Sequence, residues 1–527
     1  SVQYGSAAMG GLVNVITKQG QGDPSGFIQG GLGSFDRQSA GAGVSGEVKG
    51  FDFSGSYSRS SRDDYTTADG TKYLNTGYDS IEHASINLGY TFLPGNRISL
   101  IYTGFDADKV GLPGKLKAND LDDYANKSNE SLDFIYDGST TNELFSWKAR
   151  YFTGYDEYTT FDPTESDPDN ASMLDSGVPS QRETDQQGLQ AQLTYDPSQY
   201  QITAGYDWVN YEIESFHSFG YSFESAGTTY ENYYEYEYEY EYDNPSYFLL
   251  AKSRLMDNSF FLSAGLRYDQ YDLKSQRGKG GEADDENWTK NIGISYLPIN
   301  NIKIRANYSE GFKMPSAEQL AGDYESAVTG TPVKGNPDLE PEKSKTYEAG
   351  LDVFYQSFET SLTYFYTDFE DKIQSVGTSP QTWQNIGEAT LSGLEGKLSY
   401  DLNTLISSKW SFVPYGSFVY MTEYQDEKTN KDLPQISDLT ASWGLRISDN
   451  RDFSGNLNFS YTGEQRITYP QDMQKGGFTV ANLSLSQKIA DIGKFGDLTL
   501  RGEVRNLLDK QYAYVEGYPM PGRSFYL

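Results

Sequence analysis

The amino-acid sequence predicts an all-β fold, a 22-stranded antiparallel transmembrane β-barrel. Three observations predict it: apolar and polar residues alternate with a period of two, short turns alternate with long loops, and no long apolar run occurs. The 527 residues include 44 Tyr and 28 Phe, and the mean hydropathy is -0.65. A membrane helix needs about 20 consecutive apolar residues. The sequence therefore excludes membrane helices and leaves membrane strands.

The alternation predicts strands that face lipid on one side and water on the other. Leu498 and Leu500 alternate with Thr499 and Arg501, and similar segments recur along the chain. A soluble sandwich would also alternate, but it has no wet interior for Arg and Glu in the middle of a strand. The apolar positions of residues 202–208 end in aromatics, which suit the headgroup level of a membrane. The pattern therefore favours a barrel with a polar lumen.

Turn signals divide the chain into strands that are joined on two rims, as in an up-and-down barrel. Short turns are predicted at 49–50, 93–96, 138–142, 197–199, 257–258 and 298–300. Long loops are predicted at 62–81, 107–129, 158–184, 218–244 and 310–343. The predicted strands begin near Phe27, Arg37, Phe51, Glu82, Arg97, Glu130, Glu143, Asp185, Tyr200, Ser246, Ser259, Glu286, Asn301, Ser344, Phe358, Glu388, Ser408, Ile436, Asp452, Gly477, Asp497 and Gly522.

Several segments resemble the TonB-dependent receptor family of outer-membrane proteins in order and spacing. Residues 4–18 resemble the last strand of the family's plug domain, and residues 311–342 resemble its seventh extracellular loop and the strand after it. Residues 385–396 fit the next hairpin, and residues 506–523 resemble the closing loop and final strand. The residues that carry the resemblance are Tyr4, Gly5, Gly10, Gly11, Phe312, Pro315, Asn336, Pro337, Leu339, Pro341, Glu342, Asn506, Asp509, Tyr512, Gly522 and Arg523.

The resemblance implies two domains. Residues 1–22 are expected to be the C-terminal remnant of a plug domain, and residues 23–527 the transmembrane barrel with long extracellular loops. Family members carry a complete plug and, before it, a short box that engages TonB. We therefore expect this chain to be an incomplete copy of a longer protein. A naturally plugless channel is the alternative.

The resemblance also implies a function, the gated uptake of a scarce ligand across the outer membrane of a Gram-negative bacterium. In the siderophore- and cobalamin-type branch, the inner-membrane partners TonB, ExbB and ExbD would act through the missing N-terminal segment. We expect a ferric siderophore or cobalamin as the ligand, and a monomer in contact with lipid and lipopolysaccharide. We expect no binding to nucleic acid, which the net charge of -33 repels. The alternatives are a passive or plugless porin and a receptor for haem or another metal complex.

The chain lacks the residues of common enzymatic sites. It has no Cys and only two His residues, His83 and His217, which excludes Cys–His nucleophiles and His-rich zinc sites. We therefore predict that the protein is not an enzyme and has no covalently bound cofactor. The absence of His between residues 311 and 337 disfavours haem. His217 could ligate a metal, but we expect an ordinary residue at a strand end.

Acidic clusters in the predicted loops are candidate calcium sites. A Ca²⁺ ion takes roughly six to eight oxygen ligands, which clustered carboxylates in a loop can supply. The alternative is a solvated acidic loop that contributes only solubility. The candidate calcium ligands lie within eight residues of one another and are Asp162, Glu165, Asp167 and Asp169. The same alternatives apply to Asp120, Asp122 and Asp123 and to Glu282, Asp284 and Asp285.

Residues 233–242 alternate Tyr and Glu, so a strand there would place every Tyr on one face. One interpretation is a barrel strand that extends above the membrane and offers a stacking surface to an aromatic or sugar-like ligand. The other interpretation, which we favour, is an aromatic girdle that continues into an exposed hairpin. The candidate ligand contacts are Tyr234, Tyr236, Tyr238, Tyr240 and Trp383.

Overall fold

The computed structural model describes most of the chain. The residues outside the description are 1–4, 6–8, 10, 12, 117–120, 162–172, 175–177, 226–227, 278–281, 326–331, 378, 407, 450, 468–471 and 494–495. Strands dominate the described part, and its two helices are short, Ala317–Ala321 and Asn403–Ile406. No helix in the described part of the chain is both long enough and apolar enough to span a membrane.

Twenty-two strands form one closed antiparallel sheet. The barrel strands are Ser25–Gly33, Arg37–Val48, Phe51–Arg62, Tyr78–Leu93, Asn96–Gly111, Tyr124–Ser139, Phe145–Phe161, Ser180–Tyr195, Tyr200–Ser225, Thr228–Leu255, Phe260–Arg277, Glu282–Ile299, Ile302–Lys313, Glu342–Tyr355, Phe358–Val376, Thr382–Tyr400, Ser411–Asp426, Leu439–Ser448, Phe453–Thr462, Phe478–Asp491, Asp497–Arg505 and Ser524–Tyr526. The first and last strands close the sheet, because Leu32 and Leu527 exchange two backbone hydrogen bonds of 2.9 Å. The predicted barrel is confirmed, and it has no open edge, as a lipid-embedded sheet requires.

Smaller strands lie in the loops between the barrel strands, and two of them, Met173–Leu174 and Lys431–Asp432, pair with the barrel strands Tyr200–Ser225 and Ser411–Asp426. The smaller strands are Met173–Leu174, Asp323–Glu325, Pro332–Lys334, Lys431–Asp432, Gln465–Ile467 and Met473–Lys475.

The predicted strand starts agree with the structure except at one loop. Every barrel strand begins within six residues of its predicted start apart from Thr228–Leu255, which was expected to begin near Ser246. The prediction of a loop at residues 218–244 was therefore wrong. Most of it belongs to two paired strands, and the register continues without interruption to the pair Ser225 and Thr228. The alternating Tyr and Glu residues suit a strand, since aromatic side chains favour the pleated backbone.

Two belts of aromatic side chains on the outer surface mark the limits of the membrane. The extracellular belt contains the ring pairs Tyr206–Tyr247, Tyr268–Trp288 and Tyr308–Tyr347. The periplasmic belt contains the ring pairs Phe145–Tyr195, Phe260–Tyr296 and Phe358–Tyr400. Eight residues separate Tyr268 from Phe260, and Leu262 and Leu266 between them are 40% and 43% exposed. With a rise of about 3.4 Å per residue and a tilt of about 40°, the belts lie about 20 Å apart.

The opposite face of the sheet lines a polar lumen that contains buried ion pairs. Arg267 Nη1 donates to Asp207 Oδ2 at 2.7 Å, and Arg267 Nε donates to Asp269 Oδ1 at 2.9 Å. Arg97 forms a second pair with Asp52, with 2.7 Å between Nη2 and Oδ1. The low exposure of Arg267, Asp207 and Asp269, at 3%, 8% and 0%, shows that the strands bury these charges together.

The described residues of the N-terminal segment, 5, 9, 11 and 13–22, lie in the lumen and contact its wall at two distant places. Gly5 lies against the guanidinium of Arg267, which belongs to the eleventh barrel strand. Near the other end, the carbonyl oxygen of Lys18 accepts a hydrogen bond of 3.2 Å from Asn87 Nδ2, on the fourth strand. These strands are seven apart around the ring, so Gly5 and Lys18 contact separate parts of the interior wall. The division at residue 22 between plug remnant and barrel stays a prediction.

Candidate functional site

The hairpin formed by Tyr200–Ser225 and Thr228–Leu255 rises far above the membrane, and we call it the tall hairpin. The extracellular belt crosses it at Tyr206 and Tyr247. Tyr240 lies seven residues beyond Tyr247, which corresponds to about 24 Å along the strand. The upper part of the tall hairpin therefore forms a wall of the extracellular vestibule.

The described tyrosines of the Tyr/Glu run face the interior. Tyr240 is 3% exposed, and Phe248, at a position of the same parity, is 6% exposed, whereas Tyr247 is 56% exposed toward lipid. Successive strand residues point to opposite faces, so Tyr238, Tyr240 and Tyr242 share the lumen side. The interpretation as a continued girdle was therefore wrong. Tyr234 and Tyr236 lie in the strand, but their side chains lie outside the described part of the structure.

Tyr240 belongs to a buried group of side chains that joins the tall hairpin to the loop at residues 314–341. We call this group the vestibule cluster. Its most buried members, at most 5% exposed, are Tyr240, Leu273, Leu320 and Leu339. The side chains packed around them are Tyr238, Tyr242, Ala283, Ala317, Ile373 and Trp383. The cluster brings together three of the five predicted ligand contacts, Tyr238, Tyr240 and Trp383.

A short helix, Ala317–Ala321, carries Leu320 into the vestibule cluster. Its start is fixed by a capping box: Gln319 N donates to Ser316 Oγ at 3.2 Å, and Ser316 N donates to Gln319 Oε1 at 2.8 Å. Such a cap is worth about 1 kcal/mol. The helix places Leu320 against Tyr240, so local chain geometry positions one side of the cluster.

The family residues of this loop hold it in place. Asn336 Nδ2 donates to the carbonyl oxygen of Trp383 at 3.0 Å, and Asn336 N donates to the carbonyl oxygen of Gln319 at 2.8 Å. Glu342 Oε1 accepts a hydrogen bond of 2.9 Å from the backbone of Ile373. Pro337 is exposed. The buried motif residues are Phe312, Pro315, Leu339 and Pro341. These residues fix the loop and the wall behind it.

The vestibule cluster presents neutral donors beside its aromatic faces. The indole Nε1 of Trp383 is buried and has no hydrogen-bond partner within the described residues, although buried polar groups usually have one. Burial raises the pKa of the Tyr238 and Tyr242 hydroxyls, so both stay protonated at neutral pH. The wall can therefore stack on a ring and donate hydrogen bonds to it.

His217 lies within the tall hairpin, not at a strand end as expected. Its Nε2 is 2.9 Å from Tyr238 Oη, and the two rings are stacked with centroids 5.5 Å apart. Burial lowers the pKa of His217, Glu318 opposes this effect, and Arg182 adds to it. The neutral imidazole is therefore the form that fits this wall.

We expect the upper part of the tall hairpin to loosen in acid. The pKa of His217 is lower in the folded wall than its ordinary value of about 6.5. The opened hairpin therefore binds the proton more readily, and stability falls below about pH 6.5, by at most about 1.4 kcal/mol per pH unit. Amide hydrogen exchange of residues 211–217, measured at about pH 7.5 and about pH 5 and corrected for intrinsic rates, should reveal this loss.

Two variants make the pH experiment specific. His217→Phe should remove the difference between the two pH values, because no group at that position then titrates. His83→Phe is the matched control, since His83 packs on Phe105 on another part of the wall, with ring centroids 5.0 Å apart. Persistence of the full pH difference in His217→Phe would contradict the assignment to His217.

The N-terminal motif is only partly described. Gly5 has φ +77°, and a Cβ there would lie 3.0 Å from Arg267 Nη2. Gly11 has φ +124° and open space around it. Glycine is therefore required at both positions for its backbone conformation, and at Gly5 also by the close approach to Arg267. Tyr4 and Gly10 lie outside the described residues.

The C-terminal motif organises the last extracellular loop. Asn506 is 2% exposed, and its Nδ2 donates to the carbonyl oxygens of Lys510 at 2.8 Å and Pro521 at 3.2 Å. Asp509 Oδ1 accepts a hydrogen bond of 2.7 Å from the backbone of Arg523. The motif residues that join this loop to its neighbours are Tyr512 and Gly522. The motif therefore shapes the loop before the closing strand.

The predicted calcium site stays a prediction. Its ligands lie outside the described residues and are Asp162, Glu165, Asp167 and Asp169. Within the described ranges, Glu212, Glu214 and Glu239 bring their carboxylate oxygens within 4.8 Å of one another. Sequence spacing could not reveal this group, because Glu214 and Glu239 are neighbours only through strand pairing.

The sequence of the barrel matches a known family. The model of the TonB-dependent receptor-like β-barrel matches residues 56–507. The chain belongs to the TonB-dependent receptor family. This membership and the closed 22-stranded barrel place it in the Gram-negative outer membrane, and its relatives are receptors and transporters, which are not enzymes. The predictions of location and of a non-enzymatic protein are confirmed.

Individual relatives are distant in sequence. The ferric enterobactin receptor of Pseudomonas aeruginosa is 24% identical over 314 residues, which is 50% of this chain and 39% of that receptor. The aligned part thus spans about two fifths of the relative's length. The siderophore receptor PirA from Acinetobacter baumannii gives a TM-score of 0.76 at 18% identity, with 100% of this chain and 83% of that chain covered. The copper transporter OprC gives a TM-score of 0.76 at 16% identity, with 96% of this chain and 80% of that chain covered. At these identities the structural likeness shows the fold alone.

Proposed function

We propose that this receptor takes up a ferric siderophore across the outer membrane, gated by a plug and driven by TonB. The observation that carries the proposal is the vestibule cluster, which lies above a lumen that contains the described residues of the N-terminal segment. A barrel of 22 strands is too wide for its own side chains to fill. A further element inside the barrel therefore has to control passage.

The chemistry of the vestibule supports an aromatic metal chelate as the ligand. Tyr238, Tyr240 and Trp383 belong to one cluster. The partly buried rings of Tyr238 and Trp383 can stack on flat groups of a ligand, and the buried ring of Tyr240 packs against Tyr238. The indole N–H of Trp383 and the neutral tyrosine hydroxyls can donate to oxygen atoms. One sequence relative is a ferric enterobactin receptor, and the structurally similar PirA is a siderophore receptor. For these reasons we place a ferric siderophore before cobalamin.

Exposed apolar residues inside the lumen support the proposal that a plug is present. Val13, Val15 and Ile16 are 88%, 82% and 84% exposed, although each buried side chain of this size would gain about 1.5–3 kcal/mol. A plug sheet packed on this segment would cover them. We propose that TonB, with ExbB and ExbD, moves this plug during transport, and that the receptor acts as a monomer surrounded by lipid and lipopolysaccharide.

Uptake measured in cells tests the proposal. The full-length protein is expressed in a Gram-negative host that lacks its own siderophore receptors, and the import of radioactive iron is followed with a panel of ferric siderophores. At least one of them should be imported, and deletion of tonB or a proton uncoupler should abolish that import.

Other outcomes select the alternatives. Import that persists without TonB, together with a steady large conductance in planar bilayers, would establish a passive porin instead. Import of cobalamin or haem and of no siderophore would replace the ligand and keep the mechanism. Repeating the import measurement with added Ca²⁺ and with a calcium chelator tests the predicted calcium site at residues 162–169.

A further inference from the structure

Residues of three extracellular loops, in the described ranges 112–116, 472–477 and 506–523, line an open cavity of about 510 Å³. We call it the three-loop cavity. Small-molecule sites commonly have volumes of about 300–1,000 Å³. Its charged and aromatic lining residues are Lys115, Lys475, Lys510, Glu516, Phe478 and Tyr512. None of its lining residues belongs to the vestibule cluster, so the two sites are separate.

The charge of the three-loop cavity is opposite to that of the whole chain. Its lining contains three lysines and one glutamate, whereas the chain has 42 basic and 75 acidic residues. Clefts lined by one sign of charge concentrate ions of the opposite sign. The cavity therefore favours anions on a protein that otherwise repels them.

Lys475 is a half-buried charge of this lining. Its Nζ donates to Gln465 Oε1 at 3.2 Å and to the carbonyl oxygen of Tyr514 at 3.2 Å. An ammonium group has three donors, and these bonds use two of them. Burial lowers the pKa of Lys475, although Glu516 opposes this effect. An arriving anion would restore the lost charge stabilisation and accept the third hydrogen bond.

Aromatic rings form another part of the wall. The ring centroids of Phe478 and Tyr512 are 5.0 Å apart, and Lys475 Nζ lies 5.1 Å from the centroid of Phe478. The loops are joined to one another, since Leu116 N donates to the carbonyl oxygen of Gly517 at 3.0 Å. The rings, the lysines and the backbone contacts thus make a preformed site.

We propose that the three-loop cavity binds an organic anion with an aromatic body, of the class of aromatic carboxylates. The carboxylate lies between Lys475 and Lys510, and the ring packs on Phe478 and Tyr512. This site does not depend on the proposed uptake of a siderophore, because binding requires neither the plug nor TonB.

Equilibrium dialysis with naphthalene-2-carboxylate tests the proposal. The full-length receptor is held in lipid nanodiscs, and binding to empty nanodiscs is subtracted. We expect saturable binding at one site that weakens as salt is added. Lys475→Met and Lys510→Met should each weaken binding about tenfold, since each removes a charge-assisted hydrogen bond. The naphthylmethylammonium cation, with the same ring system, should not bind measurably.

Two further variants show whether the lysines of the cavity themselves hold the anion. Lys274→Met is the matched control and should bind as the wild type does, since Lys274 is an exposed lysine of the strand Phe260–Arg277 that does not line the cavity. Lys475 also donates two hydrogen bonds to the loops, so Lys475→Met could change the loops themselves. Lys510 is exposed, so Lys510→Met tests the role of charge without that effect. Wild-type affinity in Lys510→Met, or equal binding of the cation, would overturn the proposal. Full displacement by equimolar inorganic phosphate would overturn its aromatic part.

Discussion

Replacing Arg267 with methionine is expected to destabilise the barrel by about 3–5 kcal/mol. The guanidinium is buried and links Asp207 and Asp269, which come from two strands on either side of a third. The third strand contributes Ser246, whose Oγ donates to Asp269 Oδ1 at 2.7 Å. Removal of the guanidinium leaves two carboxylates buried without a counter-charge, and an unpaired buried charge is costly. Urea unfolding of the refolded protein in detergent measures the change.

The matched control for Arg267 is an exposed arginine in an ion pair. Arg59 lies 3.4 Å from Glu82, and its side chain is 59% exposed, so Arg59→Met should cost at most about 1 kcal/mol. The triple change Arg267→Met, Asp207→Asn and Asp269→Asn should recover most of the stability, because no charge is then unpaired. A triple variant as unstable as Arg267→Met would assign the loss to packing and contradict the electrostatic cause.

The strands of this barrel could be predicted because their signals are local. Alternation and turn residues are properties of short segments, and they indicated the number and the places of the strands. The tall hairpin shows where this reasoning failed. The Tyr/Glu run has the same period whichever face the tyrosines occupy. Counting parity from Leu249, which is 51% exposed toward lipid in the structure, assigns Tyr240 to the lumen face. The sequence alone is apolar at successive positions 247–251, so it did not decide which face the tyrosines occupy.

The functional groupings could not be predicted in the same way, because their members are distant in the sequence. Tyr240 meets Leu320 only after the loop has folded back. The pairing of Arg267 with Asp207 depends on strand register across the barrel wall. Lys475 and Lys510 each look like a solvated surface charge until three loops close around them. Such contacts depend on strand register and on how the loops close. Neither is specified by a short segment of the sequence.

Replacing Tyr240 with alanine is expected to release the loop at residues 314–341 from the wall. The ring is 3% exposed and lies at the centre of the vestibule cluster, and loss of a buried aromatic ring costs about 3–5 kcal/mol. The cost falls on the docking of the loop, because the cluster lies above the membrane-spanning sheet. Hydrogen exchange of the helix Ala317–Ala321 should accelerate by about two orders of magnitude or more. Import of the ferric siderophore should fall at least about tenfold, since the ligand wall is lost.

Two further variants separate structure from ligand contact. Tyr230→Ala removes a tyrosine that is 48% exposed on the same strand, and it should leave exchange in the loop unchanged. Tyr240→Phe keeps the ring and removes only the hydroxyl, so the loop should stay docked. Because the Tyr240 side chain is only 3% exposed, Tyr240→Phe should also leave import at the wild-type level. If hydrogen exchange in Tyr240→Ala stays at the wild-type rate, the vestibule cluster does not hold the loop. The other contacts of the loop, above all the hydrogen bonds of Asn336 to Trp383 and Gln319, would then be sufficient to hold it.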